Sequence, residues 1–153
     1  DVPAGVTAAA LRFGELASLV GYELEGGGRR VAEEGLVPGE ALTVTLYWRA
    51  AAHTPQPNHV SVQLLPPVGA ADPRPVAQHD GPPAGGGRPT TGWRPGEVVT
   101  DSHRLVVPPD LAPGEYPLAV VVYDPGPGGA RLPVNGQPGA AGTLAVLTVV
   151  GEG

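Results

Sequence analysis

Apolar residues in this chain recur at every second position, in short runs broken by Pro and Gly. The clearest run is Leu42-Thr43-Val44-Thr45-Leu46-Tyr47-Trp48. Leu42, Val44, Leu46 and Trp48 fall on one face and Thr43, Thr45 and Tyr47 on the other, as in a half-buried strand. Leu19–Leu24 repeats the pattern with Val20, Tyr22 and Leu24 together, and His59–Leu65 turns Val60, Val62 and Leu64 inward. Leu11–Phe13, Arg29–Ala32, Val76–His79 and Arg131–Val134 read as shorter strands. Thr143–Val150 is apolar on both faces, which predicts a central place in its sheet. No window of about 12 residues carries a capped helical stripe.

The longest patterned stretch runs from Trp93 to Asp124 and reads as two long strands joined by a tight corner at Leu111–Tyr116. Pro113 and Gly114 supply the turn chemistry. Tyr116 then opens a strand whose Leu118, Val120 and Val122 share a face. A tyrosine so placed suits the tyrosine corner of Greek-key sandwiches, with its hydroxyl bonded back to the backbone just upstream.

Turn residues separate these runs. Pro38-Gly39-Glu40, Pro95-Gly96-Glu97 and Pro113-Gly114-Glu115 each precede a strand, with unmatched flanks, so convergent turn chemistry explains them better than a repeat. Residues 53–58 and 66–75 are Pro-bearing loops, and Asn135-Gly136 is a turn. Asp80–Pro89 is the longest irregular segment and is expected to be a mobile loop with nothing to pack against. The pattern predicts an all-β fold: a two-sheet antiparallel sandwich of about eight or nine strands, Ig-like or jelly-roll-like in its Greek key. Residues 11–150 form one such domain, with 1–10 a linker or frayed start and 151–153 a tail.

Composition sharpens this in a few respects. Gly (24) and Pro (20) exceed a quarter of the 153 residues, a level compatible with disorder, but strings such as LAVVVYD are too apolar to stay solvated. The net charge is −6, and the nine basic residues are all Arg and scattered, so nucleic acid is not an expected partner. There is no apolar run of about 18 residues, so the chain would meet a membrane only through a parent protein. Without Cys there is no disulfide or thiol chemistry. The lack of Cys and Met, the few Asn and the loop prolines fit a thermophile's usage and a GC-rich genome equally well. A start at Asp1, without Met or signal peptide, suggests a piece of something longer.

Candidate chemistry is sparse. Gly85-Gly86-Gly87 lacks the following Lys and helix of a phosphate loop. His53, His59, His79 and His103 show no metal-ligand spacing, although strands could bring His59, His79 or His103 together. Asp80, Asp101 and Asp124 sit near strand ends, where a Ca²⁺ ion could use them with backbone carbonyls. Asx turns at Asp80-Gly81 and Asp124-Pro125 explain two of them more simply. Ser18, Ser61 and Ser102 lie in no nucleophile elbow. No metal, cofactor or catalytic residue is assigned. Trp48 belongs to the core face of its strand. Trp93, in a loop, is either a sugar-stacking platform or a lid on one end of the sandwich. Trp93, Tyr47 and Asp101 are therefore the candidate ligand-binding residues.

Several segments, taken in order, resemble one bacterial domain type. They are Leu19–Leu24, Pro38–Glu40 with Leu42–Trp48, Gln78-His79-Asp80-Gly81-Pro82-Pro83, Thr90–Glu97 with Asp101, Pro113–Tyr116 and Tyr123-Asp124. Together they are similar to the β-sandwich module found beyond the membrane helices of protein-O-mannosyltransferase-like, lipid-linked-sugar glycosyltransferases. The resemblance covers roughly residues 16–150. It implies an exoplasmic accessory module without catalytic residues of its own, positioning the enzyme or contacting a glycan or polypeptide acceptor. A carbohydrate-binding module that uses Trp93 is the alternative.

Overall fold

A computed structural model of the chain describes residues 6–54 and 56–150. Within them run eight strands: β1 (Thr7–Phe13), β2 (Ala17–Glu25), β3 (Ala41–Ala50), β4 (His59–Leu64), β5 (Ala77–Gly81), β6 (Val98–Val106), β7 (Gly114–Tyr123) and β8 (Gly142–Val149). They build two antiparallel sheets, ordered β1-β2-β3-β6 and β5-β4-β7-β8. The chain is therefore the all-β sandwich that its alternation predicts. β3 pairs with β6 in one sheet and β4 with β7 in the other, so the two pairs interlock across the core. With β5 beside β4 and β8 beside β7, the order is that of an immunoglobulin-type Greek key rather than a jelly roll.

The core is built from the alternating faces. Leu42, Val44, Leu46 and Trp48 of β3 meet Val60, Val62 and Leu64 of β4 and Leu118, Val120 and Val122 of β7, all buried. The tyrosine corner is present: Tyr116 is buried and its hydroxyl donates to the Ala112 carbonyl at 2.6 Å.

Several local expectations are corrected. β1 begins at Thr7, so residues 7–10 belong to an edge strand rather than a linker; residues 1–5 and the tail at 151–153 lie outside the described residues. In β2 the register slips between Leu19 and Gly21, leaving Val20 at a bulge and turning Leu19 into the core. Arg29–Ala32 is not a strand: Gly26 and Arg29 form a single bridge, and a one-turn helix, α1 (Val31–Glu34), follows. Arg131 and Val134 likewise make isolated bridges. β8 is an edge strand, not a central one. Leu36 covers part of that edge, its N–H donating to the Thr148 carbonyl, while Val146 stays half exposed. The two long strands around the corner, β6 and β7, lie in different sheets, so the corner carries the chain across the sandwich.

Candidate functional site: polar groups on both faces of strand β5

β5 pairs antiparallel with β4, and its side chains alternate between the interior and the outer surface. His79 lies opposite Val62 and stays exposed, while its ring reaches the buried His103 at the edge between the two sheets. The edge strand of the other sheet, β6, sends Val99, Asp101, His103 and Leu105 into the same interior. His79 Nδ1 stands 2.8 Å from His103 Nδ1, and His103 Nε2 stands 2.8 Å from Asp101 Oδ2. Trp48 Nε1–H donates to the same oxygen at 3.2 Å, and the Ala84 N–H donates to Oδ1 at 2.7 Å.

Asp101 is fully buried, which is costly for a carboxylate unless it is hydrogen-bonded. Its three donors meet that requirement. They also orient the two imidazoles. A carboxylate only accepts, so His103 donates through Nε2. With both rings neutral, His103 Nδ1 then accepts from His79 Nδ1–H, and His79 Nε2 is left as an outward acceptor. The relay ends there. The neighbouring Ser102 faces the opposite way, 3.0 Å from Thr45 Oγ1.

Asp101 also anchors the segment after β5. Ala84 sits at φ 54, a left-handed conformation unusual for a residue with a Cβ, and Asp101 holds its amide. Pro83 and Thr90 are buried, and Thr90 Oγ1 accepts from the Asn58 N–H at 2.9 Å. The loop expected to be mobile, with nothing to pack against, is thus pinned at Pro83 and Ala84 and held just beyond its end by the buried Thr90.

Trp93 closes this end of the sandwich. Its ring packs 6.2 Å from that of Trp48, and Nε1–H donates to the Arg88 carbonyl at 2.9 Å. Only 1% of Trp93 is exposed, so it is the lid and presents no face on which a sugar could stack. Tyr47 is 7% exposed, and its hydroxyl donates to Glu23. That bond, with some desolvation, raises its phenol pKa. Asp101 serves the interior, not a ligand at the surface. None of the three residues picked out from the sequence is an accessible binding group.

The three aspartates do not meet. Asp101 points inward and Asp80 outward, while Asp124 Oδ1 accepts from the Gly126 N–H at 2.8 Å in the expected Asx turn. Asp80 makes no Asx turn, because it lies within β5. Among the described residues no three His, Asp or Glu side chains are arranged to hold a metal ion.

The outer face of β5 carries a second network, which the candidate list missed. Asp80 Oδ1 accepts from Ser61 Oγ–H at 2.9 Å and from Gln78 Nε2–H at 3.0 Å, and Oδ2 accepts from the Tyr123 hydroxyl at 3.0 Å. Gln63 Nε2–H steadies Ser61 Oγ at 3.0 Å. Desolvation first, and the Asp80 bond second, push the Tyr123 phenol up to about 12. Ser61, Gln63, Asp80, Val121, Tyr123 and Arg131 line an open hollow of about 260 Å³. Arg131 is exposed and makes no ion pair among the described residues. The available signal was the outward alternation of Ser61 and Gln63 on β4 and of Gln78 and Asp80 on β5. A larger hollow of about 550 Å³ at one end of the sandwich is lined mainly by Pro, Val, Leu and Ala, with Asp110 its one ionisable side chain.

Compared with protein-family models and with curated proteins, the chain matches none. No helix among the described residues is long and apolar enough to cross a membrane.

Proposed function

We propose that this chain is a non-catalytic accessory module, carried on the exoplasmic face of a bacterial membrane by a glycosyltransferase-like protein. There it positions the enzyme or contacts its glycan or polypeptide acceptor. The observation that carries this reading is the division of polar groups about β5. The inner groups, Asp101, His103 and Trp48, close on one another and brace a loop. The outer groups line a hollow open to solvent, an arrangement suited to contact rather than turnover. The ordered sequence resemblance over roughly residues 16–150 supports the context.

The test is made on the full-length gene product. The parent is expected to contain membrane helices and to transfer sugar to an acceptor. Deleting residues 11–150 is expected to leave transfer to a minimal acceptor intact and to lower use of the complete one. A parent without membrane helices, or a deletion that abolishes transfer to every acceptor while the parent stays folded, overturns the proposal.

A further inference from the structure

The hollow on the outer face of β4, β5 and β7 holds two opposite charges, Asp80 and Arg131, among amide, hydroxyl and phenol groups. Resting on the accessory-module reading, the geometry points to this hollow as a binding site for the vicinal hydroxyls of one uncharged pyranose ring.

A carboxylate offers about four lone-pair positions. Ser61, Gln78 and Tyr123 occupy three of those on Asp80, and one acceptor position on Oδ2 remains. The same three donors hold the carboxylate in one orientation. Ser61, only 1% exposed, is fixed in turn by Gln63. The acceptor is therefore set in place before a ligand arrives, which lowers the entropy cost of binding. Arg131 contributes guanidinium donors that no ion pair among the described residues occupies.

Charge selects the ligand class. An anion is drawn to Arg131 and repelled by Asp80, and an ammonium group meets the reverse. A sugar hydroxyl both donates and accepts, so two adjacent hydroxyls satisfy Asp80 and Arg131 together and bring no charge. Tyr123 uses its hydrogen on Asp80, and its lone pairs can accept from a third hydroxyl. The volume of about 260 Å³ lies just under the range of about 300–1,000 Å³ typical for drug-sized ligands and suits one ring.

The chain is titrated, by ligand-observed NMR and by calorimetry, with methyl α-mannopyranoside, methyl β-glucopyranoside, glucosamine and glucuronate. At least one neutral glycoside is expected to bind at millimolar concentration, and the two charged sugars about tenfold more weakly. Asp80→Asn and Arg131→Gln are each expected to weaken binding about tenfold. Arg131 is exposed, so its variant tests the site without risk to the fold; near-ultraviolet circular dichroism checks the Asp80 variant. Failure of both neutral glycosides to bind overturns the site, as does equal affinity for a charged sugar or unchanged binding by Arg131→Gln. Each of these results leaves the accessory reading standing, because that reading is tested on the parent's membrane helices and acceptor use.

Discussion

His79 Nδ1 and His103 Nδ1 lie 2.8 Å apart and join β5 to β6 across the gap between the two sheets. On the opposite side of the sandwich the Tyr22 hydroxyl donates to the Leu144 carbonyl of β8 at 3.1 Å. Each open side thus carries a polar cross-link between sheets. Two Nδ1 atoms in contact share a single hydrogen. In alkaline buffer, nitrogen NMR should find His79 as the Nδ1–H tautomer and His103 as the Nε2–H tautomer. Two Nε2–H tautomers would contradict the relay.

Asp101 is the acceptor on which that relay depends. Asp101→Ala leaves Trp48 Nε1, His103 Nε2 and the Ala84 amide without a partner in a buried place. The expected loss is about 3–5 kcal/mol, read as a lower urea midpoint at unchanged slope. Asp101→Asn keeps one acceptor oxygen and should lose less. A loss under about 1 kcal/mol for the alanine variant would mean that the carboxylate does not hold the loop.

Ala84 tests the strain in the same loop. Its φ of 54 favours glycine. Ala84→Gly is expected to stabilise the protein by about 1 kcal/mol, since relief of the left-handed conformation outweighs the added freedom of the unfolded chain. Destabilisation in the same urea assay would show that the methyl group packs usefully.

Glu40 and Arg29 form a bidentate pair with both side chains 25% exposed. The Arg29 hydrogen bond holds the Glu40 carboxyl below its ordinary range. A depressed carboxylate pKa adds stability above its unfolded value and loses that contribution as pH falls through the folded one. Thermal midpoints followed down through the carboxylate range should therefore drop more steeply for the native chain than for Glu40→Gln. Parallel curves would show that the pair adds nothing, as many exposed ion pairs do.

Alternation carried most of the architecture, because a period of two places the same residues inward whatever the partner strand. Leu42–Trp48, Val60–Leu64 and the Tyr116 corner were legible on that basis. Sheet membership was not. β6 and β7 adjoin in sequence yet lie in different sheets, and the apolar pattern of β8 fits an edge strand part-covered by Leu36 as well as a central one. Val20 was misplaced because one bulge inverts the phase of everything before it. At the candidate site, Asp101 and His103 are visible as same-face neighbours, but nothing local shows that the face is a buried one. Trp93 read as either a platform or a lid because it sits in a loop, and Trp48, whose packing makes it the lid, lies 45 positions away in sequence. The Ser61–Asp80 contact needs the β4–β5 register, set across an intervening loop whose sequence does not specify it.

The most direct measurement is amide and side-chain NMR shift mapping during titration with the tightest-binding neutral glycoside. The largest shifts are expected at Ser61, Gln63, Gln78, Asp80 and Arg131, with the Trp93 indole N–H unmoved. Largest shifts at Trp93 or Tyr47, or none anywhere at saturating sugar, would contradict a site in this hollow.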